Sequence, residues 1–195
     1  MYARTSGEHE LTFDFAMGLL NDNLLFVDRE TRSIWSQLDG KAISGPLKNA
    51  PLKMIPALQT TWQHWRELHP KTRVLVMEEE GRPYVYRNRR PGGPRPKKRQ
   101  LTHDTSALGL ALVLADKPVF FPFSELDKVK TPMRFTRGGA TITINYRKDA
   151  LTAWAEDQDG TLLPAVLAYS FGWKDFHPDT EIFSATSGVK QHEAN

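Results

Sequence analysis

Residues 55–74 recur without a gap as residues 163–182, a shift of 108 positions. Ile55-Pro56-Ala57-Leu58 falls on Leu163-Pro164-Ala165-Val166. Trp65-Arg66-Glu67-Leu68-His69-Pro70-Lys71-Thr72 falls on Trp173-Lys174-Asp175-Phe176-His177-Pro178-Asp179-Thr180. Pro, Ala, Trp, His, Pro and Thr are identical, and most other pairs keep size or charge. Uncommon residues repeated in register predict a duplicated structural unit. The predicted boundaries are 1–80 for copy one, 81–106 for a basic Pro/Gly-rich linker, 107–184 for copy two and 185–195 for a frayed tail.

Within each copy the hydrophobic period is mostly two. Leu11, Phe13, Phe15 and Met17 alternate with Thr12, Asp14 and Ala16, predicting a half-buried strand. Asn21-Asp22-Asn23 is turn chemistry, and Leu24 to Val27 resumes an apolar run before a third short strand at Ile34-Trp35. In copy two, Leu108 to Leu114 and Val119 to Phe123 flank Ala115-Asp116-Lys117-Pro118, a predicted hairpin. Ile142, Ile144 and Tyr146 alternate with threonine and asparagine, and Gly138-Gly139 reads as the turn before them. Thr60 or Thr61 caps a predicted short helix with Trp62, Trp65 and Leu68 on one face, stopped by Pro70. A second helix over about 169–176 stops at Pro178. The expected fold class is β-rich α+β: two related lobes of short antiparallel strands, each with a short helix ending in His-Pro.

The copies are unequal. Copy one carries an insertion at about 41–52, and copy two has the 108–123 hairpin ahead of its meander. Copy one has no counterpart of that hairpin, so a strand edge is left to be covered. The sequence predicts either a truncated chain or a homodimer or partner chain that supplies the cover.

Leu19 to Thr31, Trp35 to Leu47, Thr61-Trp62 and Trp65 to Thr72 resemble an uncharacterised prokaryotic family, domain of unknown function 3179. The resemblance is strong over about 11–77 and weaker over 107–183, where Gly109, Lys117 and Phe121-Pro122 look like the family's second hairpin. Members of that family usually carry a Cys-Pro-x-Cys-like segment just ahead of the position of Leu11, and this chain has none. The resemblance implies a fold and no activity.

The complete absence of cysteine excludes disulfides, thiolate nucleophiles and Cys-ligated zinc. The first residues lack the basic-then-apolar layout of a signal peptide, and no run approaches the length of a membrane span. The expectation is a cytoplasmic protein as encoded, or an exported one if the chain is a fragment of a longer precursor. No phosphate-cradling, His-Glu-x-x-His or Gly-x-Ser-x-Gly motif occurs, and the sequence points to no cofactor.

Three constellations carry candidate chemistry. Asn21, Asn23, Asp28, Trp35 and Gln37 cluster on the copy-one meander as a polar-plus-aromatic ligand site; the competing account is that the asparagines build a turn and Asp28 caps the next one. His69 and His177 are a candidate metal pair across the two copies. Each also follows Trp by four positions, where histidine can bond the last helix carbonyls. Arg87, Arg89, Arg90, Arg95, Lys97, Lys98 and Arg99 form an acid-free basic run able to meet phosphates. No aromatic residue is interleaved to stack on bases, which favours a solvated loop and makes nucleic acid an unlikely partner. The favoured function is binding or scaffolding with a small-ligand site on copy one. The alternatives are an enzyme, or enzyme half, whose reactive cysteine segment lies elsewhere, and weak nucleic-acid association through residues 87–99.

Overall fold

A computed structural model describes residues 1–75, 78–79, 82–83, 107–186 and 188–190. The basic run at 87–99 lies outside the described residues. In chain order the elements are β1 (Thr5–Ser6), β2 (His9–Glu10), β3 (Phe13–Leu20), β4 (Asn23–Asp28), β5 (Ile34–Ser36), β6 (Ala42–Ser44), α1 (Trp62–Leu68), β7 (Glu78–Glu79), β8 (Arg82–Pro83), β9 (Leu108–Leu114), β10 (Lys117–Pro122), α2 (Phe123–Leu126), β11 (Met133–Arg137), β12 (Ala140–Arg147), β13 (Thr152–Glu156), β14 (Val166–Tyr169), α3 (Ser170–Phe176), β15 (Glu181–Ser184) and β16 (Gly188–Lys190). Strands dominate, and the fold class is β-rich α+β, as the alternating patterns predict. Among the described residues no helix is long and apolar enough to cross a membrane.

Three hairpins set the local architecture, and all use a two-residue turn with both residues left-handed. Asn21 and Asp22 join β3 to β4, Ala115 and Asp116 join β9 to β10, and Gly138 and Gly139 join β11 to β12. Such turns match the right-handed twist of the strands they connect.

The C-terminal half is built in two layers. One is a five-stranded sheet, β14-β9-β10-β15-β16, antiparallel except for the β10–β15 pair. The other is the antiparallel meander β11-β12-β13. The β9–β10 hairpin contributes Leu110, Leu112, Leu114, Val119 and Phe121 to the core between them, and the meander contributes Phe135, Ile142, Ile144, Ala153 and Ala155. Phe121 meets Phe135 edge to face at 4.9 Å, a favoured aromatic geometry. Arg137 on the meander pairs with Glu181 on β15, tying one layer to the other.

The N-terminal half has one main layer, the antiparallel meander β3-β4-β5-β6. Its buried cluster is small: Leu11, Trp35 and Ala42, with Phe13, Phe26, Leu47, Ala50 and Leu52 packed around them. The structure departs from the predicted half-buried strand here. Leu11 is fully buried and Phe13 partly so, but Phe15 is 76% exposed and Met17 100% exposed. The physical reason is twofold. β3 is the edge strand of its sheet, and its register shifts between Phe15 and Leu19, where Gly18 takes φ +101°.

Helix α1 begins as predicted, with the Thr61 hydroxyl accepting from the His64 N–H at 3.3 Å. Its face is not the expected apolar one. His64 is the buried residue of the helix, whereas Trp62 and Leu68 are about half exposed. Helices α1 and α3 end alike: His69 has φ −131° and ψ 69°, and His177 has φ −133° and ψ 71°.

Candidate functional site

The two helices cross over to the opposite half. α1 and the segment before it lie against the C-terminal meander, where the Thr152 hydroxyl donates to the Gln59 carbonyl at 2.6 Å. The His64 ring sits 6.3 Å from that of Trp154, and Glu67 pairs with Arg147 at 3.4 Å. In return α3 lies against the N-terminal meander. The Asn21 amide donates to the Asp175 carbonyl at 3.2 Å, and Trp173 shares a cluster with Leu38.

Between these crossings lies a cleft of about 950 Å³. The repeated segments around Ala57–Gln59 and Ala165–Leu167 both line it. Asn21, Asn23, Gln37 and Gln59 line it, together with the aromatic residues Trp154 and Tyr169. Asp22 is the one charged side chain on the wall among the described residues. The Asn23 amide donates to the Asn21 carbonyl at 2.7 Å, holding the turn rigid. The amides of Gln37 and Gln59 make no hydrogen bond among the described residues, and both residues are exposed. An amide offers a donor and an acceptor together, so the wall can orient a neutral polar molecule. The Trp154 indole N–H is held by Glu156 at 2.9 Å, which in turn accepts from Asn145 at 3.1 Å.

The sequence-predicted ligand cluster is divided by the structure. Asn21, Asn23 and Gln37 reach the cleft; Asp28 and Trp35 are sealed inside the N-terminal half with no exposed surface. The Asp28 carboxylate accepts from the Thr31 N–H, the Thr31 hydroxyl at 3.0 Å, the Ser33 N–H at 3.1 Å and the Trp35 indole at 2.8 Å. Burial alone would push this carboxyl up, but the hydrogen bonds from Trp35, Thr31 and Ser33 outweigh it and hold it below the usual carboxylate range. Its bonds to the following turn are those of a structural cap.

His69 and His177 each cover the tryptophan one turn back, at ring distances of 4.2 Å and 4.0 Å. His69 is exposed and His177 half-buried. Burial pushes the His177 imidazole down, with Asp39 opposing and Lys41 adding to the shift. No group of three or more His, Asp or Glu side chains converges on a metal position among the described residues.

A family model described as "Protein of unknown function (DUF3179)" matches residues 1–180. The chain belongs to this family. No curated protein and no solved structure matches it. For this DUF3179 chain the polar and aromatic cleft residues named above that are absent from the predicted cluster are Asp22, Trp154, Gln59 and Tyr169. Gln59 and Tyr169 stand on the segments repeated at a shift of 108, so the repeat was the available signal for those two.

Proposed function

We propose that this protein is a duplicated binding module that holds a small, neutral, polar ligand in the cleft between its halves. The duplication comprises residues 1–80 and 107–184, joined by 81–106. Its support is the matched ends of α1 and α3, where Thr72 and Thr180 donate from the backbone to the His69 and His177 carbonyls at 3.0 and 3.1 Å. The reciprocal crossing of the two helices supports it further.

One observation carries the ligand reading: a cleft of about 950 Å³ whose wall combines unspent amides at Gln37 and Gln59 with aromatic rings and one carboxylate. Such a wall rewards hydroxyl, amide and carbonyl groups and flat apolar faces, and among the described residues no lysine or arginine side chain lines it. The test is a thermal-shift screen of neutral sugars, nucleosides and amides against their charged analogues. A ligand present at 100 times its Kd stabilises the native state by about 2.7 kcal/mol, a readily measured rise in Tm. Binding lost in Gln59→Ala and Trp154→Ala supports the assignment. A shift unchanged in both variants, or seen only with charged compounds, overturns it.

A further inference from the structure

We infer that the ligand of the cleft is an extended, uncharged peptide segment that adds as a strand to the free edge of β14. The inference rests on the cleft assignment above and names the chemical class that the site takes.

β14 is the end strand of the five-stranded sheet and pairs antiparallel with β9 on one side only. In an antiparallel pair, alternate residues turn their N–H and C=O away from the partner strand. Among the described residues, Val166, Leu167 and Ala168 make no backbone hydrogen bond except to β9. All four residues of β14 are half-buried, and all four line the cleft. Successive side chains of a strand point to opposite faces, so four consecutive residues line one cleft only where the strand's edge faces it.

Proteins blunt edge strands with charges, bulges or proline. Here β3 shifts its register between Phe15 and Leu19, and β11 carries the exposed Arg134. β14 reads Val-Leu-Ala-Tyr, with no charge, bulge or proline. Its protection is the cleft, which shields the edge from another sheet and admits a narrow strand.

The rest of the wall suits the same ligand. A peptide bond offers one donor and one acceptor, the complement of the amides of Gln37 and Gln59. Leu19, Phe26, Leu58 and Phe171 also line the cleft and suit apolar side chains at alternate positions of the added strand. Leu19 is 60% exposed and Phe171 46%, so both have surface left to cover. Asp22 disfavours an acidic segment. β14 has four residues and spans roughly 13 Å at about 3.3 Å each, so the added strand is about four residues long. Main-chain hydrogen bonds supply the affinity and the apolar lining the selectivity.

The test titrates the full chain with acetyl-Thr-Val-Thr-Val-amide, read by amide exchange and by affinity. Saturating peptide is expected to slow exchange within 166–168 about tenfold, at one peptide per chain. Two N-methylated versions, one at both threonines and one at both valines, separate strand addition from other binding. A strand bound along one edge turns only alternate N–H groups toward β14. One version is therefore expected to bind about tenfold more weakly and the other nearly unchanged. Equal affinities of the two versions, or protection only away from 166–168, overturn the inference. Slow exchange of every amide of 166–168 without peptide also overturns it, because the edge is then already filled. Gln59-dependent binding of a neutral sugar or nucleoside with no peptide binding sinks this inference and leaves the cleft assignment standing. No binding by any neutral compound, the peptide included, sinks both.

Discussion

The indole Nε1 of Trp35 donates to Oδ2 of Asp28 across 2.8 Å, and neither residue has exposed surface. The pair joins β5 to the end of β4 and centres the small core of the N-terminal half. Its loss should be costly, because a buried carboxylate without its donors, or donors without their acceptor, loses solvation that nothing replaces. Asp28→Ala strands the donors of Trp35, Ser33 and Thr31 and should cost about 3 kcal/mol or more. Trp35→Phe removes one donor and some packing and should cost about 1–3 kcal/mol. Urea unfolding measures both, and an Asp28→Ala variant as stable as the parent would remove the pair from the account of the core.

Acid should act on the same residue. The folded Asp28 carboxyl titrates below its unfolded value, so it contributes stability that is complete above the ordinary aspartate range and lost as pH falls through the folded value. His177 has the same sign at higher pH. Its folded value lies below the ordinary histidine value of 6.5, so its contribution is complete above 6.5 and declines as pH falls through the folded value. The unfolding midpoint should therefore decline in two stages on acidification. His177→Gln should flatten the upper stage and leave the lower one.

The two helices predict contrasting caps. Thr61 supplies a side-chain cap to α1, and Tyr169 supplies none to α3. Thr61→Ala should cost about 1 kcal/mol. Thr61→Ser should restore most of it, as read by thermal unfolding.

Gly109 lets β9 approach β10 closely. A Cβ there would stand 2.4 Å from the Phe121 carbonyl oxygen and 2.6 Å from the Phe120 ring. Gly109→Ala should force the hairpin apart and cost on the order of 1–3 kcal/mol, the usual range for overpacking. Gly160→Ala, with φ +79° and open space around it, tests the separate cost of backbone strain. If the Gly109 variant proves the milder of the two, the close approach is not what that glycine protects.

Much of the fold was readable because it is local. Hairpin turns at Asn21-Asp22, Ala115-Asp116 and Gly138-Gly139, the Thr61 cap and the two Pro-stopped helices all follow from a few adjacent residues. The candidate site was readable only in part. Asn21, Asn23 and Gln37 line the cleft, but Asp28 and Trp35, grouped with them along the chain, turn inward and satisfy each other. A polar residue beside an aromatic one reads the same whether it faces solvent or a partner in the core. Phe15 and Met17 carry the same lesson in reverse. Period-2 alternation says that two faces differ, and it does not say whether a second layer exists to cover the apolar one.

From the residues alone came the main strands, the two helices with their repeated Trp-x-x-x-His-Pro ending, the lack of cysteine in this chain and the resemblance to a family without a known activity. All of these depend on side chains near one another in sequence, or on a residue type being missing. The tertiary structure decided that each helix crosses to the other half, that a cleft opens between the crossings, and that one half has two layers and the other one. Those are contacts between residues far apart in the chain, such as Thr152 with Gln59, 93 positions away, and Asn21 with Asp175, 154 positions away. Such contacts are set by which apolar faces find a partner to bury against, a property of the whole chain that no local pattern records.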